Sequence, residues 1–340
     1  MKFMKILFAD YIEQTGHVNF NRIHIDELKN EGHDVKIAVH STIANRLPYN
    51  KEDYAIIFPK FLKQRKGHSL LNRLCFAIAL LMIKCHLFFN HYDRIIISSV
   101  DELTLAIIPP SNKFIAICHT NANSLTKEGL KKKCMLSLGK KAKFLVFNDY
   151  MKMPFEKLGL DICTVAHGCI PPFKYGTECN IPEIKGVDHI LFHPSSKHDE
   201  VFENTLINDI QFNTLLNKTN SIVLMNGIGK DKDRIKYINR RLSDKEYQSL
   251  FLKADIILIF YPDTFEYRVS GVSFECVSNK KPFLVNRCKS MDYCQQLCNY
   301  NPYVSSAAEL TKKTENIIMN AEYARFVDNI KITPNYKNIL

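Results

Sequence analysis

At 340 residues the chain is longer than one hydrophobic core usually organises, so about two domains are expected. Hydrophobic residues at 46% and charged residues at 24% exclude an intrinsically disordered chain. The net charge of +11 raises nucleic acid as a partner, but the basic runs carry no interleaved aromatics and no nucleic-acid module is present, so that class is set aside.

Along the first half, short apolar runs alternate with helical stretches. Lys5 to Ala9 reads as a strand, Asn21 to Glu31 as a helix stopped by Gly32, and Val35 to Val39 as the next strand. Further strands are expected at Arg94 to Ser98, Phe114 to Cys118 and Phe144 to Phe147. The N-terminus has no small-residue cleavage pattern of a signal peptide, which places the expected site of action in the cytoplasm, at the inner face of the membrane if the chain meets lipid. Eleven cysteines without CxxC spacing read as reduced structural thiols rather than metal ligands. The basic run Lys63-Gln64-Arg65-Lys66 precedes an apolar segment whose uninterrupted part, Leu74 to Ile83, would be about 15 Å long as a helix, too short to span a bilayer. Two readings stand for it: a buried domain helix, or a helix of the N-terminal domain lying on an anionic membrane.

The second half repeats the alternation, with strands at His189 to Phe192, Ser221 to Met225, Ile256 to Phe260 and Pro282 to Val285. Ser243-Asp244-Lys245-Glu246 is a capping box opening a helix that runs to Lys253. A Pro- and Gly-bearing stretch marks the linker, giving an N-terminal domain over 1–172, a linker over 173–186 and a C-terminal domain over 187–340. Alternating strands and helices imply parallel sheets with crossover helices, hence an α/β fold of two doubly wound domains facing a central cleft.

Four places could carry chemistry. After the first strand, the polar turn holding Gly16 and His17 feeds a helix, and its lone glycine could let an acceptor approach the backbone. His119 follows the strand ending at Cys118 and could hydrogen-bond a sugar hydroxyl or shuttle a proton, against a purely structural role. Ser196 and Lys197 lie in the loop after His189 to Phe192, where the lysine could neutralise a diphosphate leaving group. The richest stretch runs from Tyr261 to Cys276. There Ser270, Gly271 and Val272 open a helix whose free N–H groups attract phosphate, Arg268 offers a planar fork, and Glu275 could accept from ribose hydroxyls. The plain alternative makes Glu275 a surface charge paired with Arg268.

These residues lie within blocks that resemble GT-B glycosyltransferases, specifically the group 1 or family 4 enzymes of bacterial polysaccharide and lipopolysaccharide assembly. Leu28-Lys29-Asn30-Glu31-Gly32-His33-Asp34-Val35 is similar to the family's L-x-x-x-G-H-x-V opening, and Val165-Ala166-His167-Gly168-Cys169-Ile170 to the segment closing its first domain. Leu242 to Ile256 resembles the helix and strand L-S-x-E-E-L-x-x-L-Y-x-x-A-D-I, and Glu275 to Val285 resembles E-A-x-A-x-G-K-P-V-V. The resemblance implies a GT-B fold and metal-independent, retaining transfer of a hexose from a nucleotide-diphosphate sugar to a glycan or lipid-linked acceptor, with no cofactor. It also implies two glutamates seven residues apart on the donor. Glu275 matches the second; the first position falls on Tyr267 with Glu266 one residue early, so either a shift accommodates Glu266 or Arg268-Val269-Ser270-Gly271 marks a divergent subgroup. A sugar-nucleotide epimerase or a non-catalytic binding protein on the same scaffold are the rivals.

Overall fold

The computed structural model describes residues 3–12, 17–65, 67–174, 184–195, 199–320, 326 and 332–340. The chain divides into two compact units. The first comprises Met1–Gly168, Tyr267–Val269 and Ile332–Leu340; the second comprises Cys169–Glu266 and Ser270–Lys331. Most of the expected linker, residues 175–183, lies outside the described residues.

In the first unit, β1 (Lys5–Asp10), β2 (Asp34–His40), β3 (Tyr54–Phe58), β4 (Arg94–Ile97), β5 (Phe114–Ile117), β6 (Ala142–Val146) and β7 (Ile162–Thr164) form one sheet in the order β3-β2-β1-β4-β5-β6-β7. Every pairing is parallel, so helices must carry the chain back between strands. These include α1 (His17–Asn30), α2 (Ser41–Ala44), α3 (Ser69–Phe89), α4 (Glu102–Ile107), α5 (Ala122–Leu125), α6 (Leu130–Leu138) and α7 (Asp149–Glu156). Ile6, Leu7, Phe8 and Ala9 are wholly buried, as a central strand covered on both faces requires. Gly32 takes φ +88° just past α1, the left-handed stop its place in the sequence suggests.

The second unit repeats the plan. Strands β8 (His189–His193), β9 (Ser221–Asn226), β10 (Ile235–Ile238), β11 (Ile256–Ile259), β12 (Phe283–Asn286) and β13 (Tyr303–Val304) lie in the order β10-β9-β8-β11-β12-β13, again all parallel. Its helices are α8 (Glu200–Asn208), α9 (Ile210–Lys218), α10 (Asp244–Lys253), α11 (Gly271–Asn279) and α12 (Ala307–Met319). The capping box is formed: the Glu246 N–H donates to Ser243 Oγ at 3.2 Å, and the Ser243 N–H to Glu246 Oε2 at 2.8 Å.

One expectation is revised. The apolar segment is not a 15 Å piece but the 21-residue α3, about 31 Å long. Length and composition therefore no longer separate it from a membrane span, and only part of it is covered: Asn72, Cys75, Phe76, Ala79, Leu80 and Ile83 lie on one buried face within the first unit.

In each sheet the strand order reverses direction once, between β1 and β4 and between β8 and β11. In open parallel sheets such switch points leave a crevice outside the carboxyl ends of the strands. Of the described candidate residues, His17 and His119 lie at the first of these places, and Ser270, Gly271 and Val272 on the segment after β11 at the second.

Candidate functional site

In the first unit, β1 delivers Asp10 and β4 is followed by Ser98 and Ser99, while α1 opens with His17 beside them. Asp10 is fully buried. Burial works to raise its carboxyl, but His17, the Asn21 amide at 2.7 Å and the Ile12 N–H hold it below the usual range. His17 Nδ1 meets Ser99 Oγ at 2.8 Å and lies 3.7 Å from Asp10 Oδ2. Hydroxyl and carboxylate thus approach the same ring nitrogen, which rules out a serine-histidine-aspartate relay, where they must sit on opposite nitrogens.

His119 follows β5 and stacks on His17 with ring centroids 4.4 Å apart. Its Nε2 lies 2.9 Å from the Ser98 carbonyl, which can only accept, so the hydrogen sits on Nε2 and Nδ1 is left as an acceptor. Burial first, then the His17 and His167 rings, push His119 well below an ordinary imidazole. His24 and His167 complete the group around Phe20 and Phe147. Burial drives His24 down to about 3 and His167 to about 4. The His24 Nε2–H donates to the His167 carbonyl at 3.2 Å, so its Nδ1 accepts from the Tyr336 hydroxyl at 2.6 Å. The structure therefore brings together His17 and His119, which the sequence offered separately. Gly16 lies outside the described residues.

In the second unit the switch point is tied by His193, whose Nε2 accepts the Phe260 N–H at 3.2 Å. Asn286 takes the Tyr261 N–H on its oxygen at 2.9 Å and donates to the Tyr261 carbonyl and to Asp199 at 2.7 and 3.0 Å. These contacts fix the start of the segment from Tyr261 to Ser270 that leads into α11. Ser196 and Lys197, on the loop after β8, lie outside the described residues.

At the head of α11, Ser270 is buried and its N–H donates to the Tyr293 hydroxyl at 2.9 Å. That donor, expected to be free for phosphate, is spoken for. The Gly271 and Val272 N–H groups follow, beyond the reach of any intrahelical carbonyl. Gly271 is exposed, and a Cβ built on it would meet nothing within 4 Å, so an anion has room to approach. Ser270 Oγ lies 2.9 Å from the Tyr261 hydroxyl, and Ser273 Oγ 2.8 Å from that of Tyr293.

Glu275, one turn into α11, accepts from the Tyr247 hydroxyl at 2.6 Å. Burial pushes its carboxyl up to about 7, with the Tyr247 hydrogen bond pulling the other way. Between β11 and α11, Glu266 is exposed, Arg268 is half-buried, and Tyr267 holds φ +44°, a left-handed conformation that a bulky residue adopts at a cost of order 1–3 kcal/mol. Residues 267–269 group with the first unit and Glu266 and Ser270 with the second, so the structure does not gather Arg268 and Glu275 within one unit. Tyr247, Tyr261 and Tyr293 were missed in the sequence, which shows them only as helix-pattern and strand-end aromatics.

No protein-family model matches the chain, and no curated protein matches it by sequence. Solved structures do. UDP-GlcNAc 2-epimerase from Neisseria meningitidis bound to UDP-GlcNAc is 11% identical with TM-score 0.57, over 94% of this chain and 93% of that one. Arabidopsis thaliana UGT89C1 complexed with UDP-L-rhamnose is 12% identical with TM-score 0.57, over 94% and 90%. The UDP-forming α,α-trehalose-phosphate synthase from Burkholderia vietnamiensis is 9% identical with TM-score 0.56, over 94% and 93%. With two doubly wound parallel sheets and neighbours of this kind, the protein has a two-domain, Rossmann-like GT-B fold.

Proposed function

We propose that this chain is a nucleotide-sugar enzyme, and specifically a glycosyltransferase that moves a hexose from a nucleotide-diphosphate donor to a glycan or lipid-linked acceptor. The observation that carries the donor half is the head of α11: an exposed glycine opening a helix, followed one turn later by a carboxyl seated under a tyrosine hydroxyl. Helix N–H groups and the helix dipole suit a diphosphate, and a carboxylate suits the two hydroxyls of ribose. Lys197 and Arg268 would add positive charge where the leaving diphosphate develops its own, with Ser196, Glu266 and Tyr267 beside the sugar.

The acceptor half would use the first unit's switch point, where Gly16 and His17 approach the acceptor and His119 presents Nδ1. A ring as hard to protonate as His119 is a weak base. It suits orienting a hydroxyl, as hydrogen-bond acceptor, better than removing its proton. The motif resemblance adds retention of configuration, independence of metal and a role in surface polysaccharide assembly. The epimerase among the structural neighbours defines the rival reading.

The test is Gly271→Asp. The site has room for the side chain, and an acidic residue in a helix's first turn is neutral to stabilising for the fold. Its charge would repel a diphosphate, so binding of UDP or GDP and their sugars should weaken at least tenfold while the melting temperature holds. Unchanged binding would remove the donor assignment. Incubating the wild type with a donor alone, and looking for an isomerised sugar, separates epimerisation from transfer.

A further inference from the structure

Helix α3 is apolar on two nearly opposite faces. One, built on Asn72, Cys75, Phe76, Ala79, Leu80 and Ile83, is buried in the first unit. On the other side Leu70, Leu74, Ala77, Leu81 and Phe88 recur at alternating spacings of four and three or seven, within an arc of about 60° at 100° per residue. Leu70 is 79% exposed, Leu74 57%, Leu81 48% and Phe88 84%, with Phe89 beside it at 82%. A stripe about 27 Å long, uncovered and aliphatic to aromatic, exceeds what scattered surface hydrophobes amount to.

Charge says what covers it. No aspartate or glutamate occurs anywhere in residues 54–92, while Lys60, Lys63, Arg65, Lys66, Arg73 and Lys84 do. Arg73 and Lys84 fall along one border of the stripe by the same helical count. The turn ahead of the helix is held to it: the Arg65 N–H donates to Asn72 Oδ1 and the Asn72 amide to the Arg65 carbonyl, both at 2.8 Å and with Asn72 buried. Exposed Lys63 and Phe61 lie in the turn just ahead of the helix. Arg73 already faces Asp101, 3.8 Å from its Nε, so a second copy of this chain docking by the same face would meet Lys63 and Lys84 mainly with its own Lys63 and Lys84. A surface of anionic headgroups over hydrocarbon meets both the charge and the stripe.

We propose that α3 and the basic turn before it are an in-plane docking surface for an anionic lipid bilayer, the helix lying along the headgroup boundary with its inner face still packed in the domain. The inference stands apart from the sugar-transfer reading, and its test uses neither nucleotide nor sugar.

The full chain would be co-sedimented with vesicles of phosphatidylcholine alone and of phosphatidylcholine with 30% phosphatidylglycerol, at about 50 and 500 mM salt. Binding is expected on the anionic vesicles only, weakened by salt. Replacing Leu74, Leu81 and Phe88 by serine should reduce it at least tenfold at an unchanged melting temperature, and Lys63→Ala with Lys84→Ala by about fivefold per cation. Because the sequence has no tryptophan, Leu81→Trp reports from one place. Its emission should shift to the blue on anionic vesicles and be quenched by brominated lipid. Failure to bind anionic vesicles at low salt overturns the proposal, as does binding that leaves the tryptophan in water. A dimer in sedimentation velocity that the serine variant dissolves would make the stripe a self-association face instead.

Discussion

A carboxyl group that titrates near neutrality makes ligand binding sensitive to pH in the working range. Glu275 is pushed up to about 7 by burial. If it takes the ribose hydroxyls it must be ionised to do so, so nucleotide affinity should fall as pH drops below 7, approaching tenfold per unit. Titration calorimetry with UDP or GDP between pH 5.5 and 8.5 reads this directly, and Glu275→Gln should bind weakly with a flat profile. The buried imidazoles act on stability instead. His24 and His167 hold pKa values of about 3 and 4 in the fold, below an unfolded imidazole near 6.5. Their contribution is complete above pH 6.5 and is lost as pH falls toward 4, at about 1.4 kcal/mol per unit for each ring kept neutral. Glu275, raised rather than lowered, works in the opposite direction between about 4.5 and 7, but it is one group against three lowered rings, His119 included. Thermal melts should therefore fall on acidification from pH 7 to 5, and His167→Gln should flatten the slope. The sequence singles out His17, His119 and Glu275 as candidates because each lies on the segment that follows an apolar strand run. Their partners were not legible: Tyr247 lies 28 residues before Glu275, and Ser99 lies 82 after His17, separations that only tertiary packing closes.

At the level of elements, the strands expected from sequence are the interior ones, and those not expected, β3, β7, β10 and β13, are the outermost of their sheets. The cause is physical. A strand buried on both faces needs a continuous apolar run, as in β1 and β11, whereas β3 and β7 are largely half-exposed and β13 is two residues long. Helix α10 was legible to its first residue because capping is local chemistry. Ser243→Ala should cost about 1 kcal/mol of stability, measured by denaturant unfolding with the m-value unchanged. The outer face of α3 illustrates the reverse limit: composition announces an apolar helix, but only the fold separates the face that is covered from the one that is not.

For the molecule as a whole, two parallel sheets with one switch point each were readable from the alternation of strands and helices, while the units' composition was not. The first unit is closed by residues from the far end of the chain. Tyr336 is fully buried, donates its hydroxyl to His24 and its N–H to the Glu31 carboxylate at 3.0 Å, and Arg94 donates to the Leu340 carbonyl at 2.7 Å. Tyr336→Phe leaves His24 Nδ1 without its donor and should destabilise the protein by about 1–3 kcal/mol, read from chemical denaturation. Tyr336→Ala, which also empties a large buried site, should cost more.

That closing segment gives biosynthesis an order. When the ribosome has made everything up to Gly168, the first sheet's strands exist, yet the plug that fills the floor beneath His24 is still roughly 170 codons away, about 10–30 s at ordinary elongation rates. The later-made unit can complete itself as soon as it emerges, apart from that plug. The earlier-made one must wait until Ile332–Leu340 has been made, so a released chain truncated just before Tyr336 should carry a protease-resistant second half and a first half still open to digestion.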